Sequence, residues 1–142
     1  MEQNFKNHAK IVPAFHYFVG PVLMANVVVS IIRAVQVFNF ERVFAVLVAL
    51  ALLVLAFVAR IFALTVQNRV IRLEMRLRLR ELLPADLQPR IKDFTLGQLV
   101  ALRFAGDAEL PALARKVLDE NLTDKRSIKM LVQNWQPDHL RA

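Results

Sequence analysis

The chain has no cysteine, which excludes disulfides, thiol catalysis and cysteine-based zinc or iron–sulfur sites. Its redox compartment stays open. Glycine is scarce too. Three glycines leave little material for a phosphate-cradling loop, and neither that motif nor a nucleophile motif occurs. The three histidines, His8, His16 and His139, lie far apart, and no His-x-x-x-His spacing is present. A metal or haem centre needs converging ligands. No cofactor is therefore expected, and the plain reading is interfacial or surface histidines. A haem held by His16 from several protomers is the alternative.

Charge is missing over two long stretches. Ala14 to Ile32 is a run of 19 residues without a charge, and Val43 to Ala59 is a run of 17. Past Arg60 the second run extends to Val66. Apolar residues make up 56% of the chain, above the usual 45–50%. A bilayer core of about 30 Å takes roughly 20 apolar residues of helix. A core helix of a soluble protein usually keeps a polar stripe, and Val43 to Ala59 has none on any face. The first run is long for a signal peptide, contains Gly20-Pro21, Asn26 and Ser30, and is followed at once by a second run. Two transmembrane helices are expected, at about 14–37 and 43–66, with a short N-terminal tail.

Charge also sets the expected topology. Residues 60–90 carry seven arginines against three acids, +4 of the net +7. Six of those arginines (Arg60, Arg69, Arg72, Arg76, Arg78 and Arg80) follow the second run within about 20 residues. The loop Arg33–Arg42 holds only two arginines and Glu41, and the tail holds Lys6 and Lys10 against Glu2. Positive residues near a span favour the cytoplasmic side. Both termini are expected inside, with a ten-residue loop outside.

No glycine or proline separates Ala59 from Leu82, and Pro84 is the first breaker. Span two and the arginine stretch should be one helix, from about Val43 to Leu83. Arg60 would snorkel to headgroups near the inner boundary. Arg69, Arg72, Arg76 and Arg80 fall on one face. Val66, Val70, Leu73 and Leu77 fall on another, an apolar stripe open to packing within the chain or between chains. In the first span, Pro21 predicts a kink or a helix start. Asn26 lies mid-span and should face another helix.

Residues 67–83 thus form a juxtamembrane arginine helix, and residues 84–142 a cytoplasmic domain of three short helices. Thr95-Leu-Gly-Gln98 reads as a capping box opening the first, to about Phe104. Leu110, Leu113, Ala114, Val117 and Leu118 stripe the second. Thr123 is read as the cap of a third, striped by Ile128, Leu131, Val132 and Trp135 and stopped by Pro137. The fold class is all-α: a transmembrane hairpin, a continuing second helix and a small helical domain.

Several stretches, taken together, resemble a family of small bacterial membrane proteins known as a domain of unknown function. They are Gln3-Asn-Phe-Lys-Asn-His8, His16, Arg72-Leu-Glu-Met-Arg-Leu77, Leu102-Arg-Phe-Ala105 with Asp107, Glu109-Leu-Pro111, and Asn134-Trp-Gln136 with Asp138. Gly106-Asp107-Ala108 departs from the more acidic run typical of that family. The resemblance implies two spans and a cytoplasmic tail; with the charge asymmetry, the expected location is the bacterial inner membrane, both termini cytoplasmic. The resemblance implies no activity.

The residues themselves point away from catalysis. Asp119 and Glu120 are adjacent and do not face each other. Glu74 is best read as the i, i+4 partner of Arg78. The six arginines suit anionic lipid or an acidic partner, or plain positive-inside anchoring. Nucleic acid is not expected of a tethered helix with few interleaved aromatics. Trp135 is read as a core plug, or else as an interface anchor beside Asn26, Leu73 and Leu77. The expectation is a non-enzymatic membrane scaffold that self-assembles, or an accessory subunit of a larger complex. The alternative is a homo-oligomeric pore or transporter lined by polar residues of the first span.

Overall fold

The computed structural model describes residues 11–138. The tail containing His8, Lys6 and Lys10, and also His139, lies outside them. The chain is all-helical: among the described residues the only β-type pairing is a single antiparallel bridge between Ala105 and Trp135. It divides into two compact units, one ending at Leu64 and the other beginning at Thr65.

The first unit is a helical hairpin. A π-helical segment, Ala14–Val19, leads into α1, Gly20–Gln36. The wide turn has a local cause. Pro21 has no N–H to give, and Gly20 N–H reaches back five residues to Phe15 O. Proline thus sits at the start of a regular helix, where its fixed φ is tolerated. Helix α2, Phe40–Leu82, runs 43 residues without a break, which confirms the continuous helix. The connection is shorter than the ten residues expected. Both helices use residues assigned to the loop, leaving only Val37 to Asn39 between them. Asn39 Oδ1 accepts from Arg42 N–H at 2.9 Å and caps α2. Arg42 Nη1 donates to Arg33 O at 2.6 Å, a second donor to a carbonyl at the end of α1 that also accepts from Val37 N–H. Both helices are long and apolar enough to cross a membrane. Of residues 11–64 only Val27 and Ala49 are buried.

The second unit holds the core. Ile71, Met75 and Leu79 of α2, and Leu83 just past its end, are buried at four-residue spacing. Three helices pack with them: α3 (Leu96–Leu102), α4 (Leu110–Asp119) and α5 (Lys125–Met130), after a 3₁₀ helix at Gln88–Asp93. The face of α2 that they cover differs from the expected one. Val70, Leu73 and Leu77 stay exposed, and so does Val66. Both faces are apolar, so periodicity alone could not choose between them. The covered one is longer, reaching Leu83 beside the chain reversal at Pro84 that returns Leu87 and Ile91 to the core.

The capping box forms as read: Gln98 N–H donates to Thr95 Oγ1, and Thr95 N–H donates to Gln98 Oε1 at 2.8 Å. The stripe of α4 is buried at Leu110, Leu113, Ala114 and Val117, with Leu118 packed at its edge. Helix α4 closes with Asn121 at φ 49° while Leu122 N–H reaches Val117 O at 3.0 Å. That is a left-handed cap, a position asparagine tolerates. The third cap is Asp124, not Thr123. The Asp124 carboxylate accepts from Ser127 N–H at 2.8 Å and Ser127 Oγ–H at 2.7 Å. Helix α5 is also shorter than its apolar stripe. Leu131 and Trp135 lie past its end and still pack on the core from non-helical backbone.

Candidate functional site

The arginines of α2 divide into committed and uncommitted groups. Arg78 is committed. Its Nε donates to Asp107 Oδ1 at 2.8 Å, Nη1 to Arg103 O at 3.3 Å and Nη2 to Ala105 O at 2.6 Å. It pins α2 to the segment after α3, so its partner is Asp107 and not Glu74. All three of its guanidinium nitrogens are thus engaged within this unit. The same pattern recurs in the second unit. Arg90 pairs with Asp119, Arg115 with Asp86, Arg103 with Asp138, and Lys116 with Glu120. The Arg115 guanidinium, hydrogen-bonded to Asp86, holds that carboxyl below its usual range. Hydrogen bonds from Ser127 do the same for Asp124.

Arg69, Arg72, Arg76 and Arg80 take part in no ion pair among the described residues, and neither does Lys92. Arg69, Arg72 and Arg80 are exposed and Arg76 is partly buried. They lie three to fourteen residues beyond Val66, or about 5–20 Å along the helix. Arg60 is partly buried, 5.9 Å from the ring centre of Phe15, whose edge also meets Phe57. That is cation–π geometry within the hairpin.

Two concave surfaces adjoin these residues, and a third lies apart from them. A cavity of about 210 Å³ is lined by Arg76, Arg80, Lys92, Gln88, Pro89 and Ile91. A second, of about 340 Å³, holds Arg78 and Arg103 beside Glu74 and Asp138, over apolar Ile71 and Met75. A third, about 320 Å³, is apolar and lies at the hairpin turn among Ile31, Val35, Phe38, Val43 and Leu47. Among the described residues no three histidine, aspartate or glutamate side chains gather as metal ligands. His16 folds back on its own turn, with Nδ1 2.9 Å from Val12 O and 3.2 Å from Val12 N.

The remaining sequence-selected residues separate in the same way. Asn26 is exposed. Leu73 and Leu77 are 62% and 51% exposed. Trp135 packs against Phe104 with ring centres 4.9 Å apart. Its neighbours hold it there: Gly106 N–H donates to Asn134 O at 2.8 Å and Gln136 N–H to Phe104 O at 2.7 Å. Sequence reasoning missed Glu109 as a clamp. Its carboxylate accepts from the N–H groups of Gly106, Gln133 and Asn134 at 3.2, 3.0 and 3.0 Å. It also missed Lys92 and Gln88, which no local motif singles out.

An all-α chain with two candidate membrane spans and a compact helical unit is the class that this fold and this cationic face define. The whole chain, residues 1–142, matches a family of unknown function (DUF6526), and the chain belongs to it. Comparison with curated proteins and with solved structures found no match.

Proposed function

We propose that this chain is an integral membrane protein with no catalytic role, working by assembly. It joins copies of itself into a scaffold, or serves as an accessory subunit of a larger membrane complex. Asn26 carries the reading. Its side chain is exposed and has no hydrogen-bond partner among the described residues. An amide in hydrocarbon needs a partner, and a helix from another molecule would supply it. The uncommitted arginines support the rest: a face engaging anionic lipid or an acidic partner, on the cytoplasmic side of a bacterial inner membrane, with both termini inside.

The test is gentle extraction of the tagged protein, native mass measurement and identification of bound proteins, beside Asn26→Leu. Several copies, or a stoichiometric second protein, is expected from the native chain, with loss of association in the variant. A lone monomer sinks the reading. A pore is the second reading, favoured because Ser30 lies one turn from Asn26 on the same face and is partly buried. Ion flux through reconstituted liposomes, abolished by Asn26→Leu, separates it from a scaffold.

A further inference from the structure

We propose that the cavity between the end of α2 and the 3₁₀ helix binds a phosphate group. The proposal rests on the reading of the arginine face as anion-binding and narrows it from a charged surface to a site. Three cationic side chains, Arg76, Arg80 and Lys92, line one cavity of about 210 Å³, and no carboxylate lines it. Asp86 and Asp119 pair with Arg115 and Arg90, and neither Glu81 nor Asp93, next in sequence to Arg80 and Lys92, lines the cavity or takes part in an ion pair among the described residues. Arg76 Nε is buried and has no hydrogen-bond partner. Leaving a buried charged donor unsatisfied is unfavourable, and an anion oxygen would satisfy it.

The plain role of a cation here is to offset the negative end of the α2 dipole, and Arg80 in the last turn suits that role. It does not explain Arg76, a turn earlier, or Lys92 on the other wall. The helix end is also already satisfied. Gln88 Nε2 donates to Arg80 O at 2.8 Å and to Leu83 O at 2.7 Å. Two carbonyls that would repel an anion are thereby occupied. Guanidinium forks and an ammonium converging on one pocket suit a multiply charged oxyanion, a phosphate monoester above all. The group could arrive on a lipid headgroup or on a soluble molecule, because Arg69 and Arg72 continue the same face toward the apolar part of α2.

The full-length protein in detergent is titrated calorimetrically with inorganic phosphate. It is then placed in bilayer discs of phosphatidylcholine, alone or with phosphatidylglycerol or phosphatidate. Arg76→Gln and Lys92→Gln are each expected to weaken phosphate binding about tenfold or more. Arg72→Gln, on the same face outside the cavity, should change it less than about twofold. Arg76→Lys should fall between. If Arg76→Gln fails to fold, Lys92→Gln, at an exposed residue, carries the test. Loss of phosphatidate preference in the Lys92 variant identifies a lipid source. Unchanged lipid preference with lost phosphate binding identifies a soluble one. Equal weakening by Arg72→Gln and Arg76→Gln overturns the site and leaves the charged face standing. No phosphate binding, together with indifference to anionic lipid, overturns both.

Discussion

Arg78 and Asp107 stand 29 positions apart and meet through two guanidinium nitrogens, Nε at 2.8 Å and Nη2 at 2.6 Å from the same carboxylate oxygen. The same guanidinium also holds the carbonyls of Arg103 and Ala105. One side chain of the continuous helix therefore gathers the backbone where α3 ends. Its neighbours on α2, two residues either way, do nothing of the kind.

That difference gives a first prediction. Arg78→Gln should destabilise the second unit by about 2 kcal/mol, because it leaves two carbonyls and a carboxylate without donors. Arg78→Lys should recover only part of this, since an ammonium lacks the planar fork. Arg72→Gln should cost under about 0.5 kcal/mol, as an exposed surface change. Chemical unfolding of the three variants in detergent, read by Trp135 fluorescence, gives the comparison. Equal losses at positions 72 and 78 would contradict the pin.

The buried face of α2 gives a second. Leu79 is fully buried and Leu77 is 51% exposed, though both are leucines in one arginine-rich turn. Leu79→Ala should cost about 2–5 kcal/mol through lost burial and the cavity left behind. Leu77→Ala should cost well under 1 kcal/mol in the isolated chain. A large loss at Leu77 that appears only in the assembled protein would mark it as an interface residue.

Much of this architecture was legible beforehand, and the exceptions have physical causes. Two runs without charge announced two long helices. Thr95 and Gln98 announced a capping box, because that cap is a local event within four residues. The face of α2 was not legible. Ile71, Met75 and Leu79 repeat at helical spacing, but so do Val70, Leu73 and Leu77, and only the returning chain decides between them. The arginine face was legible as charge, while the partition of that charge was not. Which arginine is neutralised depends on Asp107, and which line a cavity depends on Lys92, both brought in by tertiary closure. The end of α5 was overrun because its apolar stripe continues into residues that pack without being helical.

A third prediction concerns Glu109. Its carboxylate takes three backbone N–H groups, from the turn before α4 and from the last segment, Gln133–Asn134. Glu109→Ala orphans the Gln133 and Asn134 donors, while Gly106 N–H keeps Asn134 O at 2.8 Å, and should cost about 1–3 kcal/mol. Amide exchange at Gln133 and Asn134 should accelerate before exchange at Gly106 or in α3 does, because these two donors lose their acceptor directly while Gly106 keeps Asn134 O. Uniform acceleration across the unit would mean that Glu109 acts only through global stability.

A fourth concerns acid. Asp86 and Asp124 each titrate below the ordinary value of 3.8, Asp86 through its hydrogen bond to Arg115 and Asp124 through Ser127. A carboxyl with a depressed folded-state pKa stabilises the fold above the ordinary value and loses that contribution as pH falls through the lowered one. Stability of the second unit should thus be insensitive to these two groups from neutral pH down to about 5, and should decline below 3.8. Asp86→Asn and Asp124→Asn should flatten the acid limb while lowering the neutral plateau. Unfolding midpoints across pH 2.5–7 for the native chain and both variants decide it. An acid limb as steep in the double variant as in the native chain would assign the loss to other carboxylates.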